Sequence, residues 1–445
     1  TAMLLLAPPT AADRVERLLA ATQVQEIPVP SGYGASLADA LPRMRQREAA
    51  LPAELDALRR ERAELARRHT AELAAARAAL RDRLAQLDAL TLSGVTSHAF
   101  LLEGWVPQSG VRRLTGALDA AFGGTVVVEC LAREAWRGEE APVVLHNPRL
   151  FRPFEVLTRA LPLPRYGSID PTPYVAVFFP MFFGLMVGDI GYGAVLGLVA
   201  LVLHRRTRPN TTLRAVAEVA GACALFTGAF GLVFGELFGD LGRRWFGLEP
   251  LWIDREVAIV PFLALTLSLG LVHIVLGLVL GALGSARSHP REAVGRGLSA
   301  AMIALIVVAI LAAVEVLPRA LLNPAAIALL VAFPVLVVVE GLVAPVEFLS
   351  TLGHVLSYAR IMALGTASVM LAIVANRLAG AMGSVVVGAL FGLLFHLVNF
   401  ALALFSPTIH GLRLHYVEFF GTFYSPGGAR YRPLGHWTPH ARSTA

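Results

Sequence analysis

Lysine is absent from the 445 residues, so all 38 basic side chains are arginines. A phosphate-binding loop of the GxxxxGK type needs a lysine, and the chain therefore has no such site; nucleotide chemistry must happen elsewhere. Cysteine is nearly as scarce. Cys130 and Cys223 are the only two, and Cys223 lies inside an apolar run, which excludes a disulfide framework and a CxxC metal site. No HExxH and no GxSxG elbow in a fitting setting is present either, so the sequence offers no metal or cofactor site. Charge is the third shortage. Only 16% of residues are charged and 56% are hydrophobic, with a mean hydropathy of +0.63, whereas soluble domains carry about 25% charged residues. An ordinary soluble enzyme is ruled out.

What is there divides sharply. Residues 1–170 hold most of the charge, and residues 171–420 contain apolar runs of membrane-spanning length. The expected fold is mostly α: a polytopic membrane protein behind a soluble N-terminal head. The net charge of +6 and pI near 9.8 lie largely beside these runs, which favours anionic lipid headgroups and a bilayer over nucleic acid as the partner. The chain begins with Thr1, and Met3 to Ala7 is too short for a signal-peptide core. A longer chain, of which this is part, is the expectation.

In the head, Met3–Ala7 and Val24–Val29 read as strands around a helix at Ala11–Gln23, a small α/β lobe over residues 1–35. From Ser36 to Leu90, Leu51, Leu55, Leu58, Leu65, Leu73, Leu80, Leu84 and Leu87 recur at mostly heptad-compatible spacing. A helix of about 40 residues would reach about 60 Å, which suits a coiled-coil strut over residues 36–94 better than a solvated helix packed on its own lobe. Residues 95–170 follow as a second α/β segment and linker, with strands at His98–Leu102 and Val126–Cys130.

Seven apolar runs occupy 174–203, 213–234, 258–283, 298–317, 325–343, 348–375 and 384–409. The first is long enough for one tilted helix or a tight pair, and charge chooses between them. Arg149, Arg152, Arg159 and Arg165 precede it, and His204, Arg205, Arg206, Arg208 and Arg214 follow it. The positive-inside rule puts both flanks in the cytoplasm, so an even number of crossings separates them. The first run becomes a hairpin and the total eight, the last two helices being the seventh and eighth. Both termini, including a tail over residues 421–445, then face the cytoplasm, and the acidic loop from Glu236 to Glu256 is external.

Ionisable residues at membrane depth are few, and each costs about 2.5 to 3.5 kcal/mol near the bilayer centre even on lenient scales. The seventh helix carries Glu347, His354 and Arg360; the eighth carries His396, Asn399, His410, Arg413, His415 and Glu418. Arg360 stands out because it is a permanent cation followed by a long uncharged stretch. Gly353, Ser357, Ala363, Leu364 and Ala367 share its side of the helix, so another helix can approach closely there. A purely packing role would pair Arg360 with a carbonyl or with Glu347, but Glu347 lies about 220° away around the wheel. His410 and Arg413 form either a second polar face or a snorkelling end. Glu236 and Asp240 are either solvated caps or a proton access point, and Asp189 is a turn former.

At this point the residues resemble a known family. Leu102-Glu103-Gly104-Trp105-Val106-Pro107, the run from Phe182 to Gly193, Gly235-Glu236-Leu237-Phe238-Gly239, Ser357-Tyr358-Ala359-Arg360 and the run from Leu412 to Glu418 are similar to segments of subunit a (subunit I) of the V/A-type rotary ATPases. The resemblance implies a multi-pass protein of a bacterial cell membrane. It implies eight membrane helices, the last two long, tilted and facing a proteolipid c/K ring. Its other implied partners are E/G-type peripheral-stalk subunits and a d/C-type central-stalk subunit.

Arg360 is similar in position to the family's essential arginine and Arg413 to its second arginine. Glu347, His354, Ser357, His410, Glu418 and Glu236 are implied to line an ion pathway made of two aqueous half-channels. Ser368 and Ala403 depart from the eukaryotic pattern, where His and Glu are expected. The head also departs, with one coil segment in place of two, so part of it is expected either to be missing or to be supplied by residues before Thr1. The expected function is that of a non-catalytic, ion-translocating stator for H⁺ or Na⁺. A secondary transporter with a regulatory head is the alternative, although no repeat relates the two halves; a purely structural anchor is a third reading.

Overall fold

Glycine and an N-cap carboxylate decide where the first apolar run turns. Gly188 adopts φ 46° and ends one helix, and Asp189 begins the next, its carboxylate accepting from the Tyr192 N–H at 3.0 Å. The computed structural model describes residues 8–21, 37–91, 93–131, 141–286 and 289–435. The described residues are mostly helical, at 74%, and separate into two units, one holding those up to Thr91 together with Gly435 and one holding those from 93 to 434.

The first unit holds α1 (Ala12–Ala21) and α2 (Leu37–Thr91). The strands expected at Met3–Ala7 and Val24–Val29 lie outside the described residues, as does the end of the expected helix at Gln23. Helix α2 runs unbroken for 55 residues, about 80 Å. Pairs such as Arg67–Glu64 at 2.7 Å and Arg68–Glu64 at 2.9 Å support it along its length. The leucines from Leu51 to Leu87 in the expected seam are 42 to 72% exposed, so among the described residues nothing covers that seam.

The second unit begins with a two-residue hairpin, β1 (Gly94–Val95) antiparallel to β2 (Phe100–Leu101), and α3 (Val111–Phe122). Val126–Cys130, expected as a strand, pairs with no described strand. Alternating apolar residues are insufficient without a neighbouring edge to hydrogen-bond. A short turn, α4 (Glu155–Thr158), receives the Tyr416 hydroxyl on the Leu157 carbonyl at 2.5 Å. Asn147 bridges Glu155 and Asp170 at 3.2 and 2.9 Å.

The apolar half comprises α5 (Thr172–Val187), α6 (Ile190–Arg206), α7 (Thr212–Phe234), α8 (Leu241–Phe246), α9 (Ile259–Ser285), α10 (Pro290–Ala313), α11 (Leu322–Glu340), α12 (Ala344–Leu356), α13 (Ala359–Ala381) and α14 (Val385–Arg413). Six segments are long and apolar enough to cross a membrane: α7, α9, α10, α11 with its leading turn, α12 with α13, and α14 with its extension to Thr422. Helices α5 and α6, of 16 and 17 residues, fall short of that length. They form a hairpin that packs on α7. Gly184 and Gly188 of α5 meet Phe226 and Phe234 in turn, while Ile190 and Gly197 of α6 meet Gly231 and Ala224, so α5 runs parallel to α7 and α6 antiparallel.

Helix α5 also packs on α13 and α14. Its Val175, Phe179, Phe182, Phe183, Leu185 and Met186 are all buried, which explains why so apolar a helix is short: protein surrounds most of it. Where one seventh helix was expected, the chain is interrupted between α12 and α13 at Ser357–Tyr358, immediately before Arg360. The Ser357 hydroxyl donates to the Gly353 carbonyl at 3.2 Å, and the Ile361 N–H bonds Tyr358 three residues back at 2.9 Å. Such side-chain back-bonding and local tightening bend a helix.

Candidate functional site

Two groups of polar side chains are built inside the apolar half. The first surrounds Arg360, one residue into α13. Its side chain is 23% exposed, and the buried Nη1 lies 3.8 Å from Oε1 of Glu418, a side chain that is 1% exposed. Arg413, at the end of α14 and 56% exposed, approaches the same Oε1 with Nε at 3.9 Å. Both separations exceed hydrogen-bond length. Arg360 Nη1 and Glu418 Oε2 are buried atoms with no hydrogen-bond partner among the described residues.

The floor under this group is aromatic. Tyr358 is fully buried, and its hydroxyl is 2.7 Å from Nδ1 of His273 on α9. The His273 ring stacks on Phe419 at 3.8 Å between centroids and lies 5.3 Å from that of His415. His415 in turn is 2.8 Å from the Gly411 carbonyl through Nδ1. Tyr358 reaches this position only because Gly270 leaves room, since a Cβ there would stand 2.4 Å from the Tyr358 ring. Helices α9, α13 and the end of α14 are thus locked together just behind the arginine.

The second group gathers where α5 and α7 end and the loop into α9 begins. Arg255 has a side chain with no exposed surface. It donates to the carbonyls of Leu185, Val187 and Gly188 at 3.1, 3.1 and 3.0 Å, which are the orphan acceptors of the α5 C-terminus. Its Nε bonds Glu236 Oε1 at 2.9 Å, and its Nη2 makes a short contact with Oε2. The Phe234 ring lies 4.5 Å from its guanidinium carbon, a cation–π contact.

Beside this pair, Asn376 of α13 donates to Asp240 at 2.7 Å and to the Phe238 carbonyl at 2.9 Å, and its Oδ1 is 2.8 Å from His396 Nε2. His396 Nδ1 is 2.8 Å from the Tyr192 hydroxyl, which accepts from Asn399 at 2.9 Å. Asp240 also pairs with Arg244 at 2.5 Å. In the same loop Arg243 donates to Asp254 at 2.8 Å, a bond that raises its pKa above the ordinary arginine value. The result is a continuous hydrogen-bonded chain from the α8 loop, through α13 and α14, to α6.

Of the residues singled out in the sequence, Arg360, Arg413 and Glu418 are brought together. His410 lies one turn before Arg413, its Nδ1 buried without a partner among the described residues. Glu347 and His354 lie on α12 and Ser357 caps its end, with Glu347 exposed and His354 half-buried; no hydrogen bond or ion pair joins Glu347 or His354 to Arg360 among the described residues. Glu236 belongs to the second group, committed to Arg255. Asp189, besides capping α6, accepts the Gly239 N–H at 2.8 Å.

Arg255, His273, Tyr358 and Asn376 escaped the sequence reading. Arg255 carried a signal: a lone arginine between Asp254 and Glu256 directly before an apolar run. Among the described residues no cluster of His, Cys, Asp or Glu has a metal-holding arrangement.

Comparison with known proteins agrees with this architecture. Residues 3–241 match the family model described as the V-type ATPase 116 kDa subunit family. The A-type ATP synthase subunit I of Thermococcus kodakarensis is 34% identical over 369 residues, covering 76% of this chain and 54% of that protein. That of Pyrococcus abyssi is 28% identical over 440 residues, covering 95% and 66%. The V-type ATP synthase subunit I 2 of Treponema pallidum is 30% identical over 161 residues, 35% of either chain. The chain spans about half the length of the Thermococcus relative. It belongs to the V-type ATPase 116 kDa subunit family, the subunit a/subunit I family of the V/A-type ATPases.

Proposed function

We propose that this chain is the membrane stator of a V/A-type rotary ATPase or ATP synthase, translocating H⁺ or Na⁺ against a rotating proteolipid ring. In this reading residues 171–420 cross the bilayer eight times. The six long segments are joined by the α5–α6 hairpin, whose helices at about 24 to 26 Å approach the roughly 30 Å hydrocarbon thickness. Both termini are cytoplasmic, by the arginine-rich flanks of the hairpin. Residues 1–35 and 95–170 form the head lobes. The 36–94 strut meets the E/G-type peripheral stalks, and the d/C-type central-stalk subunit is a further neighbour.

The observation that carries the reading is Arg360: a permanent cation inside the apolar half, partly exposed, with a buried donor that no hydrogen bond occupies among the described residues. A rotor acid arriving from lipid meets this charge. An opposite charge within about 4 to 6 Å lowers a carboxylate pKa by about 1 to 3 units, so the acid gives its proton to water in one half-channel and, once past Arg360, regains one from the other. Glu347, His354 and Ser357 lead along α12 to the arginine and line the cytoplasmic half-channel, with His410 and Arg413 opposite.

The chain Asp240–Asn376–His396–Tyr192–Asn399 lines the external half-channel. Its groups both donate and accept, as a proton path requires. Glu236, held by Arg255, shapes the mouth of this path. The fixed cation at Arg360 repels protons and so prevents a direct leak between the two, and about 2.3 kcal/mol per charge per 100 mV drives the transfer.

The test is ATP-driven proton uptake by the whole complex in vesicles. Arg360→Ala abolishes uptake while the complex still assembles. Arg360→Lys fails as well, because lysine lacks the planar fork and can lose its proton in an apolar site. Uptake at the wild-type rate by Arg360→Ala overturns the assignment.

A further inference from the structure

We propose that Glu418 is the resting counter-ion of Arg360: a stator carboxylate that holds the arginine between encounters and yields it to each incoming rotor acid. The inference rests on the stator reading above and goes beyond it in giving Glu418 a role in turnover.

The backbone is built to deliver this carboxylate. Residues five apart on an α-helix point about 140° away from each other, so Glu418 on a regular α14 would turn away from Arg413. Instead α14 passes into a π-helical turn over Leu414–Phe419. In such a turn residue i bonds i+5, and residues five apart stack on one face. Arg413 and Glu418 therefore look the same way, toward Arg360 on the neighbouring helix. A π-turn gives up regular α-helical bonding, and single turns of this kind concentrate at functional sites.

The contact so created is unusual for a buried carboxylate. Glu418 is 1% exposed, yet its Oε1 stands 3.8 Å from Arg360 and 3.9 Å from Arg413, and its Oε2 has no partner among the described residues. A carboxylate placed for structure alone is normally saturated, because leaving a buried acceptor without a donor forfeits the hydration it had in water. Here two cations share one oxygen and none of the three groups is hydrogen-bonded to another.

Two guanidinia and one carboxylate leave a single net positive charge, which matches the single negative charge that a rotor acid brings. With Glu418 present, Arg360 exchanges one carboxylate for another. Without it, the site holds two uncompensated cations and keeps the rotor acid too long. Glu418 is thus a positioning residue, acting through Arg360.

The experiment compares Glu418→Gln, Arg413→Gln, the double variant, Glu418→Asp and Arg360→Ala in the complete complex in liposomes. It reads acridine-dye quenching for ATP-driven uptake and size exclusion for assembly. Each single neutralisation slows uptake about tenfold or more, whereas the double variant, back at one net charge, recovers to within about threefold of wild type, a non-additivity that residues in contact show. Glu418→Asp keeps the charge and retains most of the uptake. A merely structural carboxylate leaves the double variant as poor as the worse single one, and that result overturns the proposal. Wild-type uptake by Glu418→Gln beside a dead Arg360→Ala overturns it too. Should Glu418→Gln fail to assemble, the double variant decides: assembly with uptake supports the proposal, and its failure to assemble overturns it. Normal uptake by Arg360→Ala instead defeats the stator reading underneath.

Discussion

Within the apolar half, two buried carboxylates among the described residues, Glu236 and Glu418, each face arginine, and they are treated in opposite ways. Glu236 is grasped through both oxygens by Arg255, whose remaining donors are spent on the carbonyls that end α5. Glu418 sits 3.8 and 3.9 Å from two guanidinia and is hydrogen-bonded to neither. The chemistry of the partners is the same; the difference is how many donors remain free. A saturated guanidinium has nothing left for an arriving ligand and works as a clamp on the end of a helix. A slack one keeps a charge that no hydrogen bond ties to its carboxylate. Sequence depth alone does not distinguish the two, because both arginines adjoin apolar runs.

The comparison breaks most directly at the clamp. Arg255→Leu leaves Glu236 buried and unpaired, a change that costs about 3 to 5 kcal/mol, and the α5 carbonyls lose their donors as well. The yield of assembled complex from membranes, read by size exclusion, should collapse. Adding Glu236→Leu should not restore it, since the carbonyls remain orphaned; full recovery would mean that the clamp is no more than an ion pair. Next in size is Gly270→Ala, whose methyl group meets the Tyr358 ring at 2.4 Å. Overpacking of this kind costs about 1 to 3 kcal/mol, visible as a lowered thermal midpoint in detergent together with slowed uptake as the floor behind Arg360 shifts.

Tyr192→Phe removes only the hydroxyl that joins His396 to Asn399, worth about 0.5 to 1.5 kcal/mol as a net hydrogen bond. If the network is a proton path, uptake falls by more than the small change in thermal midpoint accounts for. A change in midpoint alone would reduce the network to packing. The smallest effect belongs to the strut. Leu73 is 66% exposed, and Leu73→Gln should change the unfolding free energy of the isolated chain by no more than about 0.5 kcal/mol. A larger loss seen only in the whole complex would show that a partner covers the leucine seam.

Much of this was legible beforehand. The composition of Ser36–Leu90 marked the course of α2, although its 55 residues exceed the roughly 40 expected from the leucine repeat, and hydropathy marked the six long segments. The arginines on both sides of the first apolar run implied a hairpin, and Gly188-Asp189 makes the turn. Arg360 announced itself by being a charge where charge is expensive. The rest was hidden because it depends on pairing across the fold. Arg255 is 70 residues from the Leu185 carbonyl it satisfies, and Asn376 is 136 residues from Asp240. The strand expected at Val126–Cys130 misled for the same reason, since a strand exists only with a neighbour.

By itself the amino-acid sequence determined the class of protein, the course of its long apolar helices and the presence of an isolated arginine, Arg360, inside an apolar run. These follow from hydropathy, periodicity and the cost of charge in lipid, which act over one or two turns of chain. The tertiary structure alone decided which arginine is a clamp and which is free, by bringing Glu236 to Arg255 and, through the π-turn, Glu418 to Arg360. Whether a charge is saturated depends on donors and acceptors that meet only when distant helices pack.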